Sequence, residues 1–275
     1  MSELIIEAGH AERHYWADLW RYRELFFFLS WRDILVRYKQ TVIGILWAVL
    51  KPLLTMIVFT VVFGKLAKMP SDGLPYPVFV YVAMLPWLFF SSALSEASNS
   101  LITNANMISK IYFPRLVIPI SAVIVCFVDF LISAVILVGL MAWYHVVPGC
   151  ALLWMPLFTL LALGASFGIS LWLSALNVKY RDFRYIIPFI VQFGLYVSPV
   201  GFGSSVVRAK CSYFLYQLYG LNPMVAVIDG FRWAIGSNVP LDGWCLLTSI
   251  MMTLLLLFSG VKYFRATEKA FADII

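Results

Sequence analysis

The 275-residue sequence is short of charge: Asp, Glu, Lys and Arg make up only 12% of it, about half the share of a soluble domain. Catalytic signatures are also missing. No G-x-x-x-x-G-K-[ST] cradles phosphate, so ATP has no loop of this chain's own to bind. H-E-x-x-H does not occur, which removes the usual zinc-hydrolase reading. Three histidines are present, and none pairs with an acid in a transferase pattern. His10 and His14 are four apart, the spacing of a metal pair on one helix face. They sit in a polar N-terminal stretch where solvent exposure is the simpler reading, and no metal site is expected. The four cysteines (Cys126, Cys150, Cys211, Cys245) show no C-x-x-C. They read as apolar fillers, with a Cys211–Cys245 bridge outside the membrane left open. Met1–Asp18 lacks the long apolar core of a signal peptide, so the first apolar segment is expected to act as an uncleaved insertion signal.

What fills the sequence is apolar: 62% of residues, with a mean hydropathy of +0.89. A globule of this size has no interior large enough for that excess, so lipid must solvate much of it. A spanning helix needs about 20 mostly apolar residues. Six segments qualify: Val42–Phe63, Val78–Leu101, Leu116–Tyr144, Leu152–Leu176, Ile186–Phe202 and Trp244–Phe264. The fifth is short and interrupted by Pro188 and Pro199. With both termini cytoplasmic, fourteen Lys and Arg fall inside and five outside, leaving Lys51 within the first span. That asymmetry sets the orientation and accounts for the net charge of +6 without a nucleic-acid partner.

Leu19–Tyr38 carries too many charges to span. On a helix Arg23, Ser30, Asp33, Arg37 and Gln40 share one arc, and Phe27, Phe28, Trp31, Leu35 and Tyr38 another. This predicts an amphipathic helix lying in the cytoplasmic interface. The outer stretch 203–243 is too apolar for an exposed loop. It predicts two short helices dipping back into the membrane, separated by the Asn222-Pro223 turn. Residues 1–41 thus form a tail and interface helix, 42–264 a transmembrane domain, and 265–275 a second tail.

Few ionisable groups lie well inside the spans: Lys51, Glu96 and Asp129, with Lys262 at the inner end of the sixth. A proton-coupled transporter would use such groups as a relay; three scattered ones are thin for it. Gly164 and Gly168 form a G-x-x-x-G on the fourth span, which allows close helix packing. Tyr185, Phe189, Gln192, Phe193 and Tyr196 share a face of the fifth segment. Phe79, Trp87 and Phe90 share an arc of the second, and Trp47 lies on the first. Sugar rings present C–H faces that stack on aromatic rings, so such rows read either as packing or as the lining of a glycan path. Asn104–Pro119, with Lys110 and Arg115 beside Ile111, Tyr112 and Phe113, reads either as an ordinary connection or as a knob for another protein's cleft.

Several stretches resemble one family. RYKQTVIGILWAVLKP (Arg37–Pro52), ISKIYFPRLVIP (Ile108–Pro119), LNVKYRDFRYIIPFIVQFGLYVSPV (Leu176–Val200), LNPM (Leu221–Met224) and DGFRW (Asp229–Trp233) resemble the membrane subunit of type-2 ABC exporters. The likeness is strongest to the bacterial polysaccharide branch, which exports lipid-linked O antigen, capsule or teichoic acid. Lys51 departs from it, since a neutral polar residue is expected before that proline. The resemblance implies an all-α membrane protein with six spans, working as a homodimer with a second copy of itself alongside two separate ABC ATPase subunits. ATP and magnesium would bind those partners, and this chain would carry no cofactor. Met107, Lys110, Ile111, Tyr112 and Phe113 would form the coupling segment. Tyr213, Tyr216, Tyr219 and Phe231 would belong to outer gate helices, and the aromatics above would line the glycan path. Arg32, Arg37 and Lys39 would attract a lipid diphosphate. A proton-coupled transporter, an integral-membrane transferase, and a drug or lipid exporter of the same superfamily are the competing classes.

Overall fold

The computed structural model describes residues 15–39, 44–111 and 113–271; Tyr112 and the side chain of Trp47 lie outside the described residues, as do His10 and His14. Among the described residues all regular structure is helical. Five helical segments are long and apolar enough to cross a membrane: 49–66, 76–103, 117–143, 150–179 and 243–267. The chain is therefore a multi-pass membrane protein.

Two short helices open it, α1 (Tyr15–Arg21) and α2 (Arg23–Lys39). The first crossing is α3 (Gly44–Phe59), continued by a π-helical turn over Thr60–Leu66. Then come α4 (Tyr76–Thr103), the single turn α5 (Ala105–Ile108), α6 (Val117–Trp143) and α7 (Met155–Lys179). Next are α8 (Phe183–Val197), α9 (Ser204–Lys210), α10 (Tyr213–Tyr219), α11 (Pro223–Ile235) and α12 (Gly243–Thr267).

The fifth expected span is the one that differs. Its helix, α8, has 15 residues, about 22 Å at 1.5 Å per residue, against roughly 30 Å of hydrocarbon. Pro199 denies Ser198 the helical conformation, and Ser198 is extended. The chain still makes the traverse. At one end of the bundle Asn177 of α7 donates to the Ser98 carbonyl of α4 at 2.9 Å. At the other, the Tyr76 hydroxyl donates to the Gly201 carbonyl at 2.7 Å. Thus α8 leaves the side where α4 ends and reaches the side where α4 begins, with the non-helical Ser198–Gly203 completing the distance. The path makes six traverses, and both described ends return to one side. There the Tyr15 hydroxyl donates to Glu268 at 3.0 Å and Arg265 covers the Tyr15 ring at 4.2 Å. We call this the near side, and the opposite one the far side.

α4 is the axis of the bundle. Its apolar side chains are sealed on nearly all sides, whereas the other long helices keep most of their surface outward. Lipid is as apolar as Leu, so close packing rather than a hydrophobic force holds the bundle together. Small residues permit it. Gly168 of α7 meets Gly260 of α12 so closely that a Cβ on Gly260 would lie 2.4 Å from the Gly168 carbonyl oxygen. Beside this contact the Trp172 indole donates to Ser259 at 3.1 Å and stacks on Tyr263 at 4.1 Å.

On the far side, α10 and α11 are divided at Asn222-Pro223 as the sequence indicates, and α9 adds a third short helix. Asn222 caps α11 by accepting from the Met224 amide at 3.0 Å, with Pro223 in the first turn. α11 is buried among α4, α7 and α12. Asp242 caps α12, accepting from the Trp244 and Cys245 amides at 2.9 and 3.4 Å, and also accepts from the Tyr216 hydroxyl at 3.2 Å. Asp242→Ala should destabilise the purified protein by about 1–2 kcal/mol, a lost cap plus a lost hydroxyl acceptor, while Asp242→Asn retains most of it. Thermal unfolding in detergent checks the difference. All four cysteines are free.

Candidate functional site

Three places gather the chemistry. The first is the outer face of α8, where Tyr185, Phe189, Phe193 and Tyr196 are 83%, 65%, 57% and 63% exposed. They form one row with exposed Gln192 between them. Phe189 and Phe193 stack at 5.9 Å with their planes 11° apart. The opposite side of α8 packs on Trp87, whose ring meets the helix at Gly194.

The second-span aromatics do not join that row. Phe79, Trp87 and Phe90 are 0%, 4% and 7% exposed. Their shared arc implies one special face, but α4 is covered along that arc as along most of its surface, so the arc reflects core packing. Phe79 lies under the Arg232 guanidinium, and Trp87 contacts Phe90 at 5.5 Å. As the structure stands, the sealed rings offer no surface to a passing chain.

The second place lies on the near side. The aromatic arc of α2 faces outward, with Phe27, Phe28 and Trp31 more than half exposed. Part of its polar arc turns toward protein, while Arg23 stays exposed and Gln40 lies outside the described residues. Ser30 is buried, and Arg37 bridges two acids from different spans. Its guanidinium lies 2.8 Å from Asp129 of α6 and 3.2 Å from Glu96 of α4. The Tyr38 hydroxyl also donates to Asp129, so Tyr38 leaves the outward arc that its spacing indicates. Burial works against the Arg37 charge, but Asp129, with Cys126 and Glu96, more than offsets it, so the pKa is held above its ordinary value. Burial first, then the bond to Asp129, raises that of Tyr38. Arg32 is bound to Asp33 at 2.7 Å and donates to Asn104 at 3.2 Å. Lys39 ends α2 in an exposed position. Thus Arg32 and Arg37 already hold protein acceptors, while Glu96 and Asp129 are tied to an arginine rather than forming a relay. Between α2, α4 and α6 lies an open cavity of about 250 Å³, with Arg32, Arg37, Glu96 and Asn104 in its lining beside the apolar Val36, Ala122 and Val125.

The connection after α4 also splits. Ile111 is 60% exposed and Lys110 projects outward, whereas Phe113 is buried with Ile108, Leu101 and Leu116. Met107 is half-buried. Phe113 therefore anchors the segment and is not available as a knob, because its ring is buried in the cluster that holds Leu116 and Val117 at the start of the next span.

The third place is on the far side. Arg232 of α11 is 2% exposed. It donates to the carbonyls of Val200 at 3.0 Å, Phe202 at 3.1 Å and Phe79 at 3.4 Å, and its guanidinium lies 3.6 Å from the Phe79 ring centroid. These bonds hold the stretch where α8 has broken. Asp229 sits 4.0 Å away. Burial pushes its carboxyl up to about 6, with Arg232 pulling it back; burial draws Arg232 down to about 10, so it keeps its charge at neutral pH. Asp72 accepts from Ser205 at 2.9 Å and closes the same corner. Of the expected gate residues, Tyr213 is exposed, Tyr216 is buried and bonded to Asp242, and Tyr219 is half-buried. Phe231 is fully buried, edge-on to Phe130 at 6.3 Å. Sequence reasoning gave Arg232 no role; its place in the DGFRW motif, on an apolar helix, was the available signal.

The described residues thus form a multi-pass helical bundle with an amphipathic helix on its near side, an interrupted fifth traverse and buried far-side helices. Residues 24–236 match the family described as ABC-2 type transporter, and the chain belongs to that family. It is 25% identical over 258 residues to the O-antigen export system permease protein RfbA of Myxococcus xanthus, covering 94% of this chain and 98% of that one. A Klebsiella pneumoniae protein of the same name is 27% identical over 245 residues, 89% and 92% of the two chains. The polysialic acid transport protein KpsM of Escherichia coli is 26% identical over 247 residues, 87% and 92%.

Proposed function

We propose that this chain is the permease half of an ATP-driven exporter that carries a lipid-linked polysaccharide, O antigen, across the bacterial inner membrane. The observation that carries the reading is the exposed aromatic row of α8. Rings in lipid need no hydroxyls or amides, yet Tyr185, Gln192 and Tyr196 stand in the same row as Phe189 and Phe193. Flat rings with interspersed hydrogen-bonding groups suit a sugar chain that must slide without a deep trap. The family supports ATP-driven transport, and the names of its relatives support the cargo. A second reading, export of a capsule such as polysialic acid, is favoured by the KpsM likeness.

In this reading the near side is cytoplasmic. Two copies pair so that their α8 rows face each other, and two ATPase subunits, which hold ATP and magnesium, sit beneath. Exposed Lys110 and Ile111 reach the ATPase, and Phe113 fixes the segment that carries them. Phe193→Ala with Tyr196→Ala should lower surface glycan by about tenfold, taking aromatic contacts at roughly 0.5–1.5 kcal/mol each. Immunoblots of surface glycan in a deletion strain measure it. Full-length glycan at normal abundance sinks the sugar track. Co-purification with an ATPase encoded beside this gene tests the partnership, and its absence sinks the ATP-driven reading.

A further inference from the structure

α2 is fastened in two unlike ways. It packs along α6, but it reaches α4 through long polar side chains across a cavity of about 250 Å³: Arg37 to Glu96 and Arg32 to Asn104. The two arms of Arg37 differ too. The Asp129 arm is short at 2.8 Å, its carboxylate is 26% exposed, and the Tyr38 hydroxyl donates to it as well. The Glu96 arm is longer at 3.2 Å, and its carboxylate is 55% exposed and opens on the cavity. Water competes well for a half-exposed pair and poorly for a shielded one. Asn104, the acceptor of Arg32, stands at the junction between α4 and the turn α5 that leads to Lys110 and Ile111.

We propose that Arg37 is a positioning residue for transport: Asp129 anchors it as a fixed pivot, Glu96 serves as a detachable arm, and together they set where the interface helix rests on the bundle. A pull on the Lys110–Ile111 segment moves Asn104 and the end of α4. The exposed bridges then part into the cavity while α2 stays seated on α6. Arg37 therefore acts through α2 and need not touch the cargo. The proposal rests on the exporter reading but differs from a cargo-binding role for Arg37, in which Asp129 would only compete with the cargo's phosphate.

The experiment compares surface glycan and the ATPase activity of the purified permease–ATPase complex for four variants. Arg37→Gln and Asp129→Asn should each cut export by about fivefold or more, the upper end for a partly exposed pair, while the complex still assembles and hydrolyses ATP. Glu96→Gln should cost only about two- to threefold, the scale of an exposed pair. The exchange Arg37→Asp with Asp129→Arg should recover at least about a third of export, because it remakes the pivot with its charges reversed. Normal export by Asp129→Asn alongside failure of Arg37→Gln overturns the proposal and returns Arg37 to the cargo. If the single variants fail to accumulate, the exchange decides: abundance and export restored together support the pivot, and abundance without export overturns it. Failure of the exporter reading would look different, since deleting the wild-type gene would then leave surface glycan unchanged.

Discussion

Gly260→Val should leave little correctly folded protein. A Cβ at this position meets the Gly168 carbonyl oxygen at 2.4 Å, and one at Gly168 meets the backbone of Leu256 and Leu257 at 2.7 Å. The obstacle on each side is main chain, which has no rotamer to change. α7 and α12 would have to separate, losing the Trp172–Tyr263 stack and the Trp172 bond to Ser259. The expected cost is about 3 kcal/mol or more, the upper range for overpacking, and a large part of a membrane domain's net stability. Gly139→Ala in α6 is the control: nothing lies within 4 Å of its Cβ, so it should be neutral or slightly stabilising. Yield of monodisperse protein in detergent and its unfolding midpoint distinguish the two. A Gly260→Val protein as stable as wild type would mean that the helices do not approach as described.

Arg232→Met should be nearly as damaging, for an electrostatic reason. The guanidinium holds three carbonyls and faces Asp229. Its removal strands buried acceptors and leaves an acid without its cation, at a cost of about 3–5 kcal/mol. Arg232→Lys keeps the charge but lacks the planar fork that reaches three acceptors at once, so it should recover only part of the loss. The pH dependence carries a sign. The Asp229 carboxyl is raised from 3.8 to about 6 in the folded protein. Its contribution to folding is therefore greatest at pH below its unfolded value and fades as pH rises through about 6. Without Arg232 the carboxyl loses the group that pulls it down, and the fade should move to higher pH. Unfolding midpoints between about pH 4 and 8 measure both effects; identical pH profiles for wild type and Arg232→Met would break the link between the two residues.

The apolar runs made the long helices legible in the sequence, and each begins and ends within a few residues of expectation. Proline marked the interrupted traverse, because a ring without an N–H cannot continue a helix. The Gly164–Gly168 pair signalled close packing, though its partner Gly260 could not be read, since contact between distant helices leaves no local period. The α8 row was legible because outward residues keep the helical period. The α4 aromatics carried the same period and meant something else, because periodicity tells which residues share a face and not whether that face is covered. Arg37 read as a cation for a lipid diphosphate for the same reason: the acids that hold it lie 59 and 92 positions further along the chain, on α4 and α6. Arg232 was missed because its acceptors are carbonyls, which every residue has.

The contact between Tyr15 and Glu268 spans 253 residues of sequence. Tyr15 leaves the ribosome ahead of every described traverse, and its acceptor is synthesised only after the last of them. During synthesis α1 must wait without its acceptor, so this bond is among the last of the fold to form, and it joins the first described helix to the end of the final one. A ribosome stalled inside α12 would hold a bundle of five traverses whose opening segment remains accessible to protease. Synthesis of Arg265 and Glu268 is what covers it.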